Sequence, residues 1–340
     1  MVNVMAWLAN HPRVLPERVV RGAFLAAADM AWLLHGGSVR QLERNLRHVL
    51  AWSASREQDS TAQPAHVDSR ALRRLSRQGM RSYFTYFSEA LTVGAISGER
   101  IKARIRGAGP GLQSLIALTA PDQGNRSAPI ALGHQGNWDY DGFWGGYTLA
   151  PVTTVAERLA DQDMLYAFVS IREDLGMRIL LTGTPHLTER LEEALNKSNV
   201  VVPLLADRDL SRHGEFVKAF GSTIRVARGP AALAYDTGLP LYVANTYRER
   251  LTGARKKAAG TPYGYVCEIS GPVDIDQYRS LEREEAIHAI SQAWVDVWAQ
   301  GIAAHPEDWH MLQPIFLEDL DLSRLKDVPE QVAALRAHDR

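Results

Sequence analysis

The chain has 340 residues, 46% of them hydrophobic, which is enough for a large core in one domain or two small ones. Its 38 lysines and arginines nearly balance its 39 aspartates and glutamates, so the overall charge gives no reason to expect nucleic-acid binding, which depends on neutralising phosphates. The single cysteine, Cys267, excludes an internal disulfide and a cysteine-based zinc site. It fits a reducing compartment, so cytoplasm is the default location.

The N-terminal hundred residues are predicted to be mainly helical and amphipathic. Apolar residues recur at intervals of three and four over residues 4–34 and again over 39–52. The start lacks the pattern of a secretory signal, so no export is expected. The apolar stretch 23–34 contains Asp29 and is shorter than the roughly 20 residues that a membrane-spanning helix needs, so we predict that the chain does not cross a membrane.

Arginine is concentrated in this helical region. The positions are Arg13, Arg18, Arg21, Arg40, Arg44 and Arg47, and, after a polar loop at 55–64, Arg70, Arg73, Arg74 and Arg77. Two interpretations are open: solvated helix faces, or a face that meets anionic lipid headgroups, where each basic residue contributes about 1 kcal/mol. Both can hold for different helices.

From residue 129 onward, short apolar runs alternate with helical stretches, which is typical of an α/β protein. The predicted strands are residues 129–132, 152–155, 178–182, 200–205, 240–247 and 265–269. The predicted helices are residues 139–147, 163–175, 186–196, 229–237 and 282–303. Segments 120–128 and 252–261 are predicted to be surface excursions. Because no long linker divides the chain, we predict a single domain over residues 1–340.

His134 is the most informative residue, because it follows a predicted strand and precedes Asp139 by five residues across a Gly-Asn turn. On a continuous helix, side chains five residues apart point about 140° away from each other, so their pairing requires that turn. An imidazole held by a carboxylate keeps one tautomer and gains basicity, which suits removal of a proton from an alcohol. A histidine that only caps the turn is the simpler alternative.

The segment 131–144, ALGHQGNWDYDGFW, contains the H-x4-D pattern of glycerolipid and lysophospholipid acyltransferases, and its HxGNWD form resembles the lipid A acyltransferase branch. Three other segments resemble actinobacterial phosphatidylinositol mannoside acyltransferases: ADRDLSRHGEFVKAFG at 206–221, RGPAALA at 228–234 and HPEDWHMLQPIF at 305–316. The resemblance extends to about residue 316. It implies an α/β fold with a central mixed sheet flanked by helices, in which residues 1–100 form N-terminal amphipathic helices facing the membrane and 129–316 form the catalytic core.

The activity that this resemblance implies is transfer of a palmitoyl-like group from acyl-CoA to the 6-hydroxyl of a mannose on phosphatidylinositol mono- or dimannoside. His134 would act as general base, with acyl-CoA as co-substrate and no metal or cofactor. The expected location is peripheral, on the anionic cytoplasmic face of the plasma membrane. No acyl-enzyme is expected, because the chain lacks a G-x-S-x-G elbow and Cys267 lies within a predicted strand.

Two carboxylates compete to orient His134. Asp139 belongs to the motif, whereas Asp207 follows the predicted strand 200–205 at a position that faces the catalytic histidine in related families. The imidazole could pair with Asp207 while Asp139 braces the turn, and the sequence leaves both roles open. The backbone N–H groups of Gly136 and Asn137, at the start of a helix, are candidate donors to the developing oxyanion.

Candidate substrate-binding residues lie farther along the chain. Arg158 and Arg172 resemble family positions where cations grip lipid or coenzyme phosphates, and Glu157 could bind sugar hydroxyls. A surface charge network is the alternative for all three. Arg208 either binds phosphate or forms a local ion pair with Asp209.

The frequent aromatic residues near the first motif either form core or line a groove for an acyl chain. They are Tyr83, Phe84, Tyr86, Phe87, Trp138, Tyr140, Phe143 and Trp144. Trp298 and Trp309 are predicted to be packing residues.

Competing functions are another lipid acceptor, such as a lipid A-type disaccharide or a lysophospholipid, a thioesterase, and a non-catalytic lipid-binding protein. A dinucleotide-binding enzyme is disfavoured because Gly107, Gly109 and Gly111 precede the first predicted strand instead of following it.

Overall fold

The computed structural model describes residues 4–57, 67–197, 199–209 and 213–324, together with residues 328, 332 and 334. The α-helices are α1 (Val4–Asn10), α2 (Glu17–Leu34), α3 (Gly37–Glu57), α4 (Ser69–Thr92), α5 (Gly98–Arg104), α6 (Leu112–Thr119), α7 (Trp138–Thr148), α8 (Gln162–Asp174), α9 (Leu187–Lys197), α10 (Gly229–Thr237), α11 (Gly253–Ala259) and α12 (Arg283–Ala304). The strands are β1 (Ile105–Ala108), β2 (Ala128–Leu132), β3 (Val152–Ala156), β4 (Met177–Leu181), β5 (Val201–Leu205), β6 (Glu215–Ala219), β7 (Ser222–Val226), β8 (Leu241–Arg250) and β9 (Tyr263–Val273).

A seven-stranded mixed sheet lies at the centre, in the order β1-β9-β8-β2-β5-β3-β4. Strands β8 and β9 are antiparallel, and the other neighbours are parallel. Strands β6 and β7 form a separate antiparallel pair. The α/β fold class with a mixed sheet flanked by helices is therefore confirmed. Strands β2, β5 and β3 all end at one edge of the sheet, where open α/β sheets bind their ligands.

Hydrophobic clusters cover both faces of the sheet. On one face, Ala131 of β2 packs in a cluster with Trp294 and Trp298 of α12. On the other face, its neighbours Ile130 and Leu132 pack in a cluster beneath α7. Adjacent residues of a strand point to opposite faces. A strand covered on both faces therefore has apolar residues at consecutive positions, without alternation of apolar and polar residues, and β2 has this pattern.

The six strands and five helices predicted from residue 129 onward are all present, with small shifts of their ends. The predicted helical stretch 4–34 consists of two helices, α1 and α2, separated by a segment that contains Pro12 and Pro16. Prolines cannot continue a helix ladder, so they separate the two helices.

Three elements contradict the predicted boundaries. The α/β core begins before residue 129, because β1 pairs with β9 in parallel. Residues 215–226, where no strand was predicted, contain the β6–β7 pair. Segment 252–261 is a surface excursion only in part, because it contains α11, in which Ala259 is buried and its carbonyl accepts from Arg104 Nε at 3.2 Å. Short elements of this kind lack the periodic apolar pattern from which strands and helices are predicted.

The glycines at 107–111 have a packing role against β9. Gly109 has φ +96°, and a Cβ on it would lie 2.3 Å from the carbonyl oxygen of Ile269. A Cβ on Gly107 would lie 2.3 Å from a ring carbon of Trp144. The glycines therefore allow close approach of chain segments, which is a different role from holding a nucleotide.

No helix in the described part of the chain has the length and apolar character needed to cross a membrane. Most of the predicted polar loop at 55–64, from residue 58 on, and residues 210–212 of the motif at 206–221 lie outside the described residues.

Candidate active site

His134 and Asp207 meet just past the ends of the neighbouring parallel strands β2 and β5. Nδ1 of His134 lies 2.6 Å from Oδ1 of Asp207, and the His134 backbone N–H donates to Oδ2 at 2.9 Å. Trp309 Nε1 also donates to Oδ2, at 2.9 Å. Position 133 must be glycine, because a Cβ there would lie 2.5 Å from Trp298 Nε1. Asp207 thus holds both the ring and the backbone of His134.

The electrostatics of this pair fix the tautomer of the histidine. Burial alone would raise the pKa of Asp207, but the charge of His134 and the hydrogen bonds from His134 and Trp309 lower that pKa below its ordinary value. An ionised carboxylate only accepts hydrogen bonds, so Nδ1 of His134 carries the shared proton. Nε2 is left with a lone pair that can take a proton. The His134 side chain is 28% exposed and lines a cavity.

Asp139, the carboxylate of the sequence motif, makes different contacts. Its Oδ1 accepts from Arg172 Nε at 2.7 Å, and its Oδ2 accepts from the Tyr86 hydroxyl at 3.0 Å. Burial, and then the charge of Asp139, raise the pKa of Tyr86 well above its ordinary value. Asp139 therefore ties α7 to α8 and α4. Arg172, predicted to grip phosphate, is in this ion pair, although it also lines the cavity.

Asn137 stabilises the turn between the two motif residues. Its side-chain oxygen accepts from the Tyr140 backbone N–H at 3.1 Å and caps α7, and its Nδ2 donates to Glu89 Oε2 at 2.8 Å. The other oxygen of Glu89 accepts from Arg21 Nη2 at 2.6 Å. Arg21 was predicted to lie on an outer helix face, and it is instead an interior link between α2 and the turn.

The backbone of the turn does not offer both predicted oxyanion donors. The Gly136 N–H donates to the carbonyl oxygen of Asp308 at 2.9 Å, so the prediction that it faces the reacting carbonyl is wrong. Gly136 has φ +65°, and a Cβ there would lie 2.6 Å from the Thr246 carbonyl oxygen, so the turn is held against β8. The role of the Asn137 N–H stays a prediction.

Two of the other predicted binding residues lie together at the cavity. Arg208 Nη2 is 3.5 Å from Glu157 Oε2, and both side chains line the cavity that contains His134. Arg158 is not among the lining residues, and its Nε donates to the Thr182 carbonyl oxygen at 3.3 Å. Asp209 pairs with Arg225 of β7, so the ion pair considered between Arg208 and Asp209 is not formed.

His310 is a site residue that the sequence analysis missed. Its backbone N–H donates to the His134 carbonyl oxygen at 2.7 Å, and its buried ring lines the same cavity. Ser82 Oγ donates to Asp308 Oδ1 at 2.6 Å, so it accepts from His310 Nε2 at 2.9 Å. Burial, Arg248 and His134 lower the pKa of His310 well below its ordinary value. The ring is neutral, and its Nδ1 is a buried acceptor with no partner among the described residues.

The sequence contains one signal for a role of Trp309 and His310 in the site, namely their position in a family motif. The two residues lie inside the motif at 305–316, directly after the acidic pair Glu307–Asp308. The prediction of Trp309 as a packing residue is confirmed, and its indole N–H in addition donates to Asp207. The prediction of Trp298 as a buried packing residue is confirmed.

The cavity has a volume of about 340 Å³ and runs beneath α7 along the sheet. Residues of five adjacent strands, from β3 through β5, β2 and β8 to β9, line it, which at about 4.8 Å per strand corresponds to a width of about 19 Å. Its inner walls are mostly apolar, and Tyr83, Tyr86, Phe87, Trp138 and Trp144 are among them. Nowhere in the described ranges do three or more histidine, cysteine, aspartate or glutamate side chains form a group that could hold a metal ion.

Comparison with known proteins shows the family of the chain. Residues 3–318 match the family model described as bacterial lipid A biosynthesis acyltransferase. The chain is 35% identical over 325 residues to a phosphatidylinositol mannoside acyltransferase of Mycobacterium tuberculosis, a match that covers 94% of this chain and 88% of the relative. It is 33% identical over 319 residues to a protein of the same name from Mycolicibacterium smegmatis, covering 92% and 90%. The chain therefore belongs to the bacterial lipid A biosynthesis acyltransferase family and is an acyltransferase.

Proposed function

We propose that this acyltransferase moves a palmitoyl-like group from acyl-CoA to the 6-hydroxyl of a mannose on phosphatidylinositol mono- or dimannoside. The observation that carries the proposal is that the His134–Asp207 pair opens on a long apolar cavity. The names of the relatives from Mycobacterium tuberculosis and Mycolicibacterium smegmatis supply the acceptor.

His134 acts as the general base. Its Nε2 takes the proton of the acceptor hydroxyl while the hydroxyl oxygen attacks the thioester carbonyl carbon, and Asp207 stabilises the imidazolium that forms. When the tetrahedral intermediate collapses, the C–S bond breaks and the imidazolium returns the proton to the departing thiolate. The products are the acylated lipid and free coenzyme A thiol.

Transfer is direct, without an acyl-enzyme. Cys267 lines the cavity, but burial and the neighbouring Asp141 raise the pKa of its thiol well above the ordinary value. A thiol in that state is a poor nucleophile, because the thiolate is the reactive form. The acceptor hydroxyl therefore attacks the donor itself.

The acyl chain lies in the apolar part of the cavity. Each methylene removed from water there contributes about 0.8 kcal/mol. Arg208 and Glu157 at the polar end bind the phosphate and hydroxyl groups of the substrates. The neutral Nδ1 of His310 accepts a hydrogen bond from a substrate N–H or O–H group beside His134.

The N-terminal helices hold the protein on the cytoplasmic face of the plasma membrane as a peripheral protein. Seven large apolar side chains of this region are exposed, namely Trp7, Val14, Leu15, Val19, Met30, Leu33 and Leu34. Arg13 and Arg18 lie near them and are suited to anionic headgroups. Sedimentation with anionic vesicles at low salt checks this: a protein that stays in the supernatant there is not surface-bound by this mechanism.

The test of function is transfer from radiolabelled palmitoyl-CoA to phosphatidylinositol mannosides, with both acylated lipid and free fatty acid measured. Wild type should form acylated lipid, and His134→Ala should lose it. A matched control is His186→Ala, which changes an exposed histidine far along the chain from the motif. Release of fatty acid alone would mean that the protein is a thioesterase or that its acceptor is a different lipid. Full activity in His134→Ala would exclude His134 as the base.

A further inference from the structure

Asp141 stands apart from the other polar residues of the inner cavity wall. Thr154 donates its hydroxyl to the Pro203 carbonyl oxygen at 2.6 Å, and Asp139 and Arg172 satisfy each other. Asp141, one turn into α7, is only 9% exposed, and its Oδ1 is buried with no hydrogen-bond partner in the described structure. No step of the proposed transfer uses it.

The surroundings of Asp141 keep it uncharged. Thr246 Oγ1 of β8 donates to its Oδ2 at 2.7 Å, and the Cys267 thiol of β9 lies beside it. Burial raises the pKa of Asp141 to about 8, with a smaller contribution from the charge of Asp139. At neutral pH the group is therefore a carboxylic acid, and Oδ2 is the oxygen that already accepts a hydrogen bond.

Oδ1 is therefore a buried oxygen without a partner in the described structure, whichever of the two oxygens carries the acid proton. A buried polar atom without a partner costs about 1–3 kcal/mol, so an unfilled position of this kind favours a ligand that brings a hydrogen-bonding group. Among the residues that line the cavity with Asp141, Trp144, Ala244 and Ile269 are apolar and offer no such group. A hydrogen-bonding group for Oδ1 would therefore come with whatever occupies the cavity.

We propose that Asp141 forms a polar subsite in the cavity wall that binds a hydroxyl group carried on the acyl chain of the donor. This inference rests on the proposed function in one respect, that the cavity holds the acyl chain. Oδ1 of Asp141 makes a hydrogen bond with the chain hydroxyl, which can donate or accept, and a plain hydrocarbon leaves Oδ1 unpaired. The enzyme therefore selects a hydroxylated acyl chain over an unsubstituted one of equal length.

The size of the preference follows from one hydrogen bond in a buried site. A net gain of about 1 kcal/mol corresponds to roughly five- to tenfold tighter binding. Only a hydroxyl at the chain position that reaches Asp141 gains it, so the preference should appear in some positional isomers and be absent from others.

Calorimetric binding of palmitic acid and of a series of hydroxypalmitic acids, substituted at successive carbons, tests the subsite without needing an acceptor lipid. Wild type and Asp141→Asn, which keeps a donor in the side chain, should bind at least one isomer five- to tenfold more tightly than palmitic acid. Asp141→Leu should bind that isomer and palmitic acid equally. Asp163→Leu, an exposed aspartate of α8, should keep the wild-type ratio.

Comparing two ligands within each variant cancels differences in the folded fraction. Equal affinity of wild type for every isomer and for palmitic acid, no binding of any of these acids, or a preference that persists in Asp141→Leu, would overturn the subsite. A hydroxyl preference in a protein that fails to acylate phosphatidylinositol mannosides would overturn the acceptor alone. Lipid acylation with no hydroxyl preference would overturn the subsite alone.

Discussion

The end of β5 and the first turn of α7 each place a buried aspartate near His134, but the two regions differ in what the carboxylate holds. Asp207 contacts the imidazole at 2.6 Å. Asp139, only five residues from His134 along the chain, contacts Arg172 and Tyr86 instead. Strands β2 and β5 are adjacent and parallel, so Asp207 lies beside the imidazole, whereas the side chain of Asp139 meets α8 and α4. The carboxylate in the motif is thus the structural one.

The largest expected effect is that of Asp207→Asn. An amide at this position no longer stabilises the imidazolium and permits the wrong tautomer, so kcat should fall by about 10³- to 10⁴-fold. Steady-state kinetics with circular dichroism as a check on folding would measure it. A decrease in kcat of less than tenfold would mean that catalysis does not need the His134–Asp207 pair. Asp207 and Asp139 would then no longer differ in role.

Asp139→Asn should act on stability first. It leaves the Arg172 guanidinium buried without a charged partner, which costs about 3–5 kcal/mol of unfolding free energy. Urea titration measures the loss, and Arg172→Met combined with Asp139→Asn should recover part of it. The pH profile of kcat in the single variant should keep the wild-type midpoint, because Asp139 does not contact His134. A shifted midpoint would contradict the separation of roles.

Asp141→Asn extends the comparison to a third buried aspartate. The folded-state pKa of about 8 lies above the unfolded value near 3.9, so the folded protein binds this proton more tightly than the unfolded chain does. The protonation of Asp141 therefore adds to the free energy of unfolding, and this contribution is fully present below about pH 4. The contribution is lost as pH rises from about 4 to about 8. Between pH 5 and pH 7, wild type should lose about 3 kcal/mol more stability than Asp141→Asn. Parallel curves in denaturant titrations would show that Asp141 is not buried in its neutral form.

The smallest expected effect is that of Trp309→Phe, which removes one hydrogen-bond donor from Asp207 and retains most of the ring. A hydrogen bond to a charged group contributes about 1.5–3 kcal/mol, so activity should fall by roughly 10- to 150-fold. A matched change, Trp298→Phe, leaves the Asp207 contacts in place. Equal losses in kcat/KM for the two variants would reduce the role of Trp309 to packing.

The long apolar segments of the fold could be predicted from the sequence because their pattern is local. Strands such as β2 and helices such as α10 appear where the apolar runs predict them. Strand β1 and the β6–β7 pair were missed because they are short and depend on partners distant in the chain. Hydrophobic periodicity carries no information about such pairing.

The sequence predicts His134 as a site residue, but it does not determine which residues contact it. The motif points to the histidine, whereas its actual partners, Asp207 and Trp309, are separated from it by 73 and by well over one hundred residues and are joined by tertiary packing. No sequence pattern marks His310 as a site residue, and its neutral state follows from burial and from the charges of Arg248 and His134, which only the fold brings together. Gly136 was assigned to the oxyanion because the helix start was known and the competing Asp308 carbonyl was not.

The hydrogen bonds from Arg21 to Glu89 and from Asn137 to Glu89 have a practical consequence for shortened forms of this protein. Helix α2 also supplies Glu17, whose two carboxylate oxygens accept from the buried Arg104 at 2.8 Å each. Removing α1 and α2 to obtain a more soluble protein would therefore leave the Glu89 carboxylate and the Arg104 guanidinium inside the remaining domain without these charged partners. The N-terminal helices are better regarded as a brace for the catalytic turn than as a detachable anchor.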